Sequence, residues 1–323
     1  MENGSIVDVP HIKVGHAQNE TALTGCSVIL TEKGATCGVD VRGSAPGTRE
    51  TDLLDPLNTV DEVHGLCLTG GSAYGLEAAS GVMDYLESTG KGLDVGFAKV
   101  PIVPAAVLFD LSVGDASVRP NKQMGYQAAS EASNEYFSTG NVGAGCGATV
   151  GKLAGFDKSM KGGLGTASIK LANGLVIGAI VAVNAVGHVL DPETNTILAG
   201  AYDKDSDVIL DSLELLKMAD EQNFLKGANT TIGAVAVNAS LTKAEATKLA
   251  QVTQNALAKT IIPAHSTLDG DTVFALATGG HTHSLDYIAS YAVKVMEKAI
   301  INAIKSAESI EGVLSYQSFA NND

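Results

Sequence analysis

Tryptophan is absent from this 323-residue chain and proline is scarce, at 8 residues. Basic residues are also few: 21 Lys and Arg stand against 36 Asp and Glu, for a net charge of −15. A chain this acidic lacks the positive footprint that a phosphate backbone requires, which excludes nucleic acid as a partner. The four cysteines, Cys26, Cys37, Cys67 and Cys146, form no CxxC pair. Free, mostly buried thiols in a reducing compartment are therefore expected. The opening MENGSIVDVP has neither a basic nor an apolar signal region, so no signal peptide is expected. No apolar run reaches membrane-spanning length, and the purest, 176–183, is strand-sized. A cytoplasmic protein with no membrane partner is the expectation.

Glycine, by contrast, is abundant at 36 residues, scattered through apolar stretches rather than gathered in repeats. That distribution suits tight turns and close backbone packing, not a collagen-like or disordered chain. Hydrophobic residues make up 45%, enough for a sizeable core. Strands are predicted at 63–68, in the later part of 101–111, at 175–183, 231–238 and 272–278. Helices are predicted at 73–86, 123–136, from a capping box at Thr242 and Glu245 to about 259, and at 285–304. In the last helix, spacings of three and four place Leu285, Ile288, Ala292, Val295, Met296, Ala299 and Ala303 on one inward face. The acidic stretch 203–223 reads as an exposed loop with a short helix, the best candidate for a mobile segment. Strands and helices mix along the whole chain without a linker, which predicts a single α/β domain over residues 1–323. The strands are continuous apolar runs, so both faces of the sheets should be covered.

Several short motifs carry possible chemistry. Asn229-Thr230-Thr231 is a polar cluster directly before a buried strand. It reads either as a loop with Thr chosen for β-propensity or as a self-cleavage site. In the second reading the Thr230 hydroxyl attacks the Asn229 carbonyl, the ester hydrolyses, and Thr230 becomes a new N-terminus. An α-amine has a pKa of about 8 against about 10.4 for lysine, so nucleophile and general base would then share one residue. Asp269-Gly270-Asp271 is either a turn or two carboxylates two residues apart on one strand face, able to orient Thr230 or hold an ammonium. Asn184, at a strand end, is a turn cap or an oxyanion donor. Lys152 closes the glycine-rich NVGAGCGATVGK; it is a solvated lysine or a site residue. That stretch fails the Walker A pattern, and its loose GxGxxA lacks the strand–helix context of a dinucleotide site. His281 and His283 lack a carboxylate or thiolate partner, so an exposed loop is preferred to a metal site. Tyr74 reads as a pocket or a core tyrosine.

The segments VDVRGSAPGTRETDLL, LTGGSAYGLEAASGVM, NVGAGCGATVGK, GLGTAS, VAVNAVG, NTTIGAVAVNA and DGDTVFALAT, in this order over roughly 14–278, resemble the L-aminopeptidase/D-esterase family of peptidases (S58), which includes β-aminopeptidases and nylon-oligomer hydrolases. The most specific elements are NTTIG and DGD. The resemblance implies a four-layer αββα sandwich. It also implies cleavage before Thr230 into an α chain 1–229 and a β chain 230–323, and assembly of αβ units into tetramers or larger homo-oligomers. By motif, the residues around a threonine nucleophile fall on Lys152, Asn184, Asp269 and Asp271. Serine-type members carry Ser-Gly-Glu or Ser-Gly-Asp where this chain has Asp-Gly-Asp. Nylon-oligomer hydrolases carry a tyrosine where this chain has Phe109, leaving Tyr74 or Tyr126 to take that place at the substrate.

The expectation is an autoprocessed N-terminal-threonine hydrolase of small peptides or amides, an aminopeptidase or amidase, needing no metal and no cofactor. An acyltransferase of ornithine-acetyltransferase type, a nylon-type endo-amidase and a non-enzymatic binding protein are the alternatives.

Overall fold

A computed structural model describes residues 4–218 and 229–321. The strands of its main sheet layers, in chain order, are β1 Lys13–Asn19, β2 Thr24–Val41, β3 Thr48–Arg49, β4 Glu62–Thr69, β5 Ala105–Val107, β6 Gly163–Lys170, β7 Val176–Val183, β8 Ile232–Ala239 and β9 Thr272–His281, with shorter strands outside them. The helices are α1 Ala78–Ser88, α2 Lys122–Ser130, α3 Ser212–Met218, α4 Lys243–Thr260 and α5 Leu285–Ser306, with a short α6 at Tyr316–Ala320.

The 18-residue β2 joins two sheets. Its register breaks between Leu30 and Ala35, where Gly34 takes φ +84°. The half before the break pairs with β1 and β4; the half after it pairs with β9, with Ala35 and Thr36 still reaching β4. One sheet therefore runs β6-β7-β8-β9-β2 and the other β1-β2-β4-β5-β3. All pairings are antiparallel except β8 with β9 and β4 with β5.

Side-chain alternation along the strands builds the layers. Ile180, Ala182, Ala234, Phe274 and Leu276 face Ile29, Leu66, Leu68 and Ala106 between the sheets. Their neighbours Val181, Val235, Val237 and Ala275 point the other way, onto Leu249, Leu257, Ile288, Val295 and Met296 of α4 and α5. On the far side, Val28, Leu30 and Cys67 pack against Ala79, Val82, Leu86 and Ala128 of α1 and α2. The result is the αββα sandwich expected from the sequence. α1 and α2 approach backbone to backbone at Gly81 and Gly125: a Cβ at either would overlap a carbonyl oxygen of the other helix's segment, Lys122 O or Ala78 O.

The α4 capping box forms as predicted, with Thr242 accepting from Glu245 N–H at 3.2 Å and Glu245 accepting from Thr242 N–H at 2.8 Å. The expected inward face of α5 is buried from Ile288 to Ala303, with Leu285 half-buried at its start. Two helices are shorter than predicted. The first turns before α1 are a 3-10 segment, Ser72–Glu77. α2 stops at Ser130 because the chain then turns to pair with β1, Ser133 and Val14 exchanging both backbone bonds at 2.8 and 3.0 Å. Strands β1, β2 and β6 have no clean apolar run and were not predicted. Within 203–223 a hairpin of Ala201–Asp203 and Val208–Leu210 leads to α3; 219–223 lie outside the described residues. Among the described residues no helix is long and apolar enough to cross a membrane.

Candidate active site

β8 and β9 are parallel neighbours, with Ile232 opposite Thr272. Parallel pairing sets their entrances abreast, so Asn229 bridges Asp269 just ahead of the two strands. β7 runs antiparallel on the other side of β8, with Ala182 opposite Ile232. Its exit therefore delivers Asn184 to the same place, where Asn184 O accepts the Thr230 N–H at 3.0 Å. Two motifs far apart in sequence and one strand end meet through strand order alone.

Asn229, Thr230, Asp269 and Asp271 are all buried. The Thr230 hydroxyl contacts the carbonyl oxygen of Asn229, the residue it follows. The Gly270 N–H points at both atoms, 3.2 Å from Thr230 Oγ1 and 3.3 Å from Asn229 O. Glycine is required there: a Cβ on residue 270 would stand 2.7 Å from Ala45 O and 2.9 Å from Thr230 Oγ1. The 42–47 loop closes over this turn, with Ala45 N–H on Asp269 O at 2.8 Å and Arg42 N–H on Asp271 O at 2.9 Å. Neither amide atom of the buried Asn229 side chain has a partner among the described residues.

The two carboxylates have different surroundings. Asp271 Oδ1 accepts the Thr231 N–H at 2.8 Å. Its Oδ2 accepts the His265 backbone N–H and lies 3.0 Å from His265 Nδ1. Asp269 Oδ2 accepts the N–H of Ser266 at 3.0 Å and its hydroxyl. No hydrogen bond among the described residues reaches Asp269 Oδ1. Burial, with the neighbouring Asp271 charge second, pushes Asp269 up to about 6.

Lys152 is fully buried rather than solvated. Its Nζ donates to Thr149 O at 2.8 Å, Asn184 O at 3.0 Å and Asn184 Oδ1 at 2.9 Å. Burial lowers its pKa to about 7, opposed by the attraction of Asp269. Asn184 is more than a turn cap: Oδ1 also accepts Thr149 N–H at 2.9 Å, and one amide N–H donates to Phe109 O at 2.9 Å. The second amide N–H is not used in these bonds. The structure thus gathers Thr230, Asn184, Lys152, Asp269 and Asp271 into one buried cluster.

The three aromatic candidates differ in their placement. Phe109 contributes its backbone carbonyl to Asn184. Tyr74 is 63% exposed beneath the Arg119 guanidinium, 4.1 Å from the ring centroid, and Tyr126 packs edge-on to Tyr85 on the α1–α2 face. No hydrogen bond joins either tyrosine to Thr230. The residues that sequence reasoning passed over are His265, Ser266, Thr149 N–H and Gly270 N–H. Only His265-Ser266, a few residues ahead of Asp269-Gly-Asp271, left a trace there; backbone donors leave none.

The glycine-rich stretch forms a 3-10 turn, Gly143–Gly145, and a two-residue strand, Thr149–Val150. Its carbonyls at Gly145 and Ala148 are tied to the buried Lys161 Nζ, both at 2.9 Å. The rings of His281 and His283 stack 6.0 Å apart, and no group of residues able to hold a metal is found among the described residues. All four cysteines are free and buried.

A model of peptidase family S58 matches residues 4–317. The chain is 41% identical to an uncharacterized aminopeptidase of Mycobacterium leprae, over 97% of this chain and 93% of that protein. It is 33% identical to a 6-aminohexanoate-oligomer endohydrolase of Paenarthrobacter ureafaciens, over 84% of this chain and 74% of the relative. In fold it is similar to a Burkholderia sp. beta-aminopeptidase (TM-score 0.70, 20% identity, 99% of this chain and 94% of that one). The L-aminopeptidase D-Ala-esterase/amidase of Ochrobactrum anthropi is similar too (TM-score 0.71, 18% identity, 99% and 93%).

Proposed function

The chain belongs to peptidase family S58 and is a hydrolase of peptide or amide bonds; on that premise, we propose that it is of the N-terminal-nucleophile kind, cutting its own Asn229–Thr230 bond and then working through Thr230. One observation carries this reading: the Thr230 hydroxyl lies against the Asn229 carbonyl, and the Gly270 N–H is aimed at both.

In the intact chain, Thr230 Oγ1 attacks the Asn229 carbonyl carbon. The developing negative charge on Asn229 O is held by Gly270 N–H, a backbone donor already in place. The hydroxyl proton passes to the peptide nitrogen, which leaves as the Thr230 amine, and water hydrolyses the ester to give an α chain 1–229 and a β chain 230–323. A substrate carbonyl then takes the place Asn229 vacated. The Thr230 amine accepts the hydroxyl proton as the acyl-enzyme forms and returns it to the leaving amine, and water then hydrolyses the acyl-enzyme to free Thr230. Gly270 N–H and the second N–H of Asn184 hold the oxyanion. Lys152 supplies positive potential. Asp269, with its free oxygen, is the carboxylate placed to take a substrate ammonium, while Asp271 holds the strand entrance through Thr231.

The 6-aminohexanoate-oligomer endohydrolases among the relatives favour a second reading, endo-cleavage of linear amides. A panel of aminoacyl amides and linear amide oligomers separates the two, and amine acceptors in the same assay reveal acyl transfer. The same proposal includes a cytoplasmic homo-oligomer of αβ units. The apolar hairpin Leu93–Asp94 and Lys99–Val100, with Phe97 95% exposed at its tip, supports an interface there.

The test is Thr230→Ala. It should run as one uncut band on a denaturing gel and leave an aminoacyl p-nitroanilide untouched. Two bands together with turnover would reject the reading.

A further inference from the structure

His265 lies outside the roles above, yet it makes two of the three contacts that hold Asp271. Its backbone N–H and its ring Nδ1 both meet Oδ2, each at 3.0 Å, while the Thr231 N–H takes Oδ1 at 2.8 Å. One residue delivers both contacts because it is curled into the left-handed region, at φ +56°. That conformation costs a non-glycine residue about 1 kcal/mol or more and persists where the surroundings impose it. The ring is largely buried, and its far nitrogen, Nε2, has no partner among the described residues. An orphaned buried polar atom costs roughly 1–3 kcal/mol. Nδ1 and the backbone N–H are both spent on Oδ2, and Nε2 is left facing no partner among the described residues. The fold bears a strained backbone and an unsatisfied nitrogen at one residue, and the return on both is a fixed Asp271.

Asp271 matters because of Thr231. In the intact chain Thr230 is held covalently from both sides. After cleavage it is a chain terminus, tied by its own nitrogen to Asn184 O and through Thr231 N–H to Asp271. Resting on the reading of Thr230 as nucleophile, we propose that His265 is a positioning residue for this reaction: it locks the Asp271 carboxylate, which clamps the new N-terminus of the β chain in register with Gly270. It touches neither Thr230 nor the scissile carbonyl, so its action shows in kcat rather than in substrate binding.

The experiment uses the full chain carrying His265→Ala, His265→Asn or His265→Gln, with Thr230→Ala alongside. Asparagine presents an N–H where Nδ1 stood and tolerates a left-handed backbone; glutamine carries its amide one atom further out. Self-cleavage is read on a gel, kcat and KM with an aminoacyl p-nitroanilide, and folding by thermal melting. Loss of one hydrogen bond to a charged group predicts that His265→Ala lowers kcat by about 10- to 100-fold. KM should stay within about threefold and His265→Asn should recover most of the rate, since the lost contact is to Asp271 rather than to substrate. A wild-type kcat in His265→Ala, or His265→Asn as slow as His265→Ala, overturns the proposal. Should His265→Ala not fold, His265→Asn must still outpace His265→Gln, and equal rates overturn it. Activity in Thr230→Ala would instead sink the nucleophile assignment, whereas an inactive Thr230→Ala beside a fully active His265→Ala sinks only the role of His265.

Discussion

The backbone nitrogen of Thr230 and the side-chain nitrogen of Lys152 donate to the same atom, Asn184 O, each at 3.0 Å. Once the chain is cut, the first of these becomes an α-amine, so two amines then face one carbonyl. Burial already lowers Lys152 to about 7. A free α-amine titrates at about 8, and a neighbouring cation disfavours its charged form. The two groups should therefore titrate as a coupled pair that keeps one amine neutral near pH 7.

Lys152→Met removes that neighbour. The Thr230 amine then holds its proton to higher pH, and because catalysis needs the neutral amine, the acidic limb of kcat/KM should move up by about one pH unit. A pH–rate profile in which the limb stays in place, or moves to lower pH, contradicts the coupling.

Asp269 is pushed up to about 6, by burial first and by Asp271 second. Its protonation should therefore shape activity between pH 5 and pH 7. Asp269→Asn keeps an acceptor for Ser266 and removes the charge. We expect kcat/KM to fall by about 10- to 100-fold, as for a lost charged hydrogen bond, and any inflection near pH 6 to vanish. Persistence of that inflection in the variant would assign it to another group.

His16 sits against Ser27 Oγ at 2.9 Å and edge-on to Phe137, and burial lowers its pKa to about 4. The folded value lies below the unfolded 6.5, so between the two the unfolded chain binds more protons. This contribution to stability is complete above pH 6.5 and is lost as pH falls through 4, at about 1.4 kcal/mol per unit over the window. Urea midpoints followed from pH 7 to 4.5 should fall more steeply in the native protein than in His16→Gln; parallel slopes would refute this.

At Gly81 the α1 backbone meets the α2 segment at Lys122 O with no room for a Cβ. Gly81→Ala must push the helices apart, at a cost of about 1–3 kcal/mol despite the better helix propensity of alanine. Equilibrium urea unfolding measures it, and an unchanged or raised midpoint would show that the helices have slack.

Local pattern made much of this protein legible. The run at β7, the Thr242–Glu245 cap and the inward face of α5 follow from periodicity and capping chemistry that neighbouring residues carry among themselves. β2 was not legible: its two halves pair differently across a polar register break at 31–34, so no single period runs through it. α2 was overestimated because alanines favour helix up to residue 136, while pairing of Ser133 with β1 ends it at Ser130. His265 escaped because its partner, Asp271, depends on a backbone curl that no periodic pattern signals.

For the site, the sequence by itself determined the inventory: a hydroxyl following an amide at 229–230, two carboxylates around Gly270, the amide of Asn184 and the amine of Lys152. It left each with a bland alternative, because a residue type does not state its surroundings. Only the tertiary structure decided those. Parallel pairing of β8 with β9 set their entrances side by side, and the antiparallel β7 brought Asn184 to the same point. Burial turned an apparent surface lysine into an amine lowered to about 7 and a turn aspartate into a carboxyl raised to about 6. Both shifts are desolvation effects, which arise only when distant parts of the chain close around a charge and exclude water.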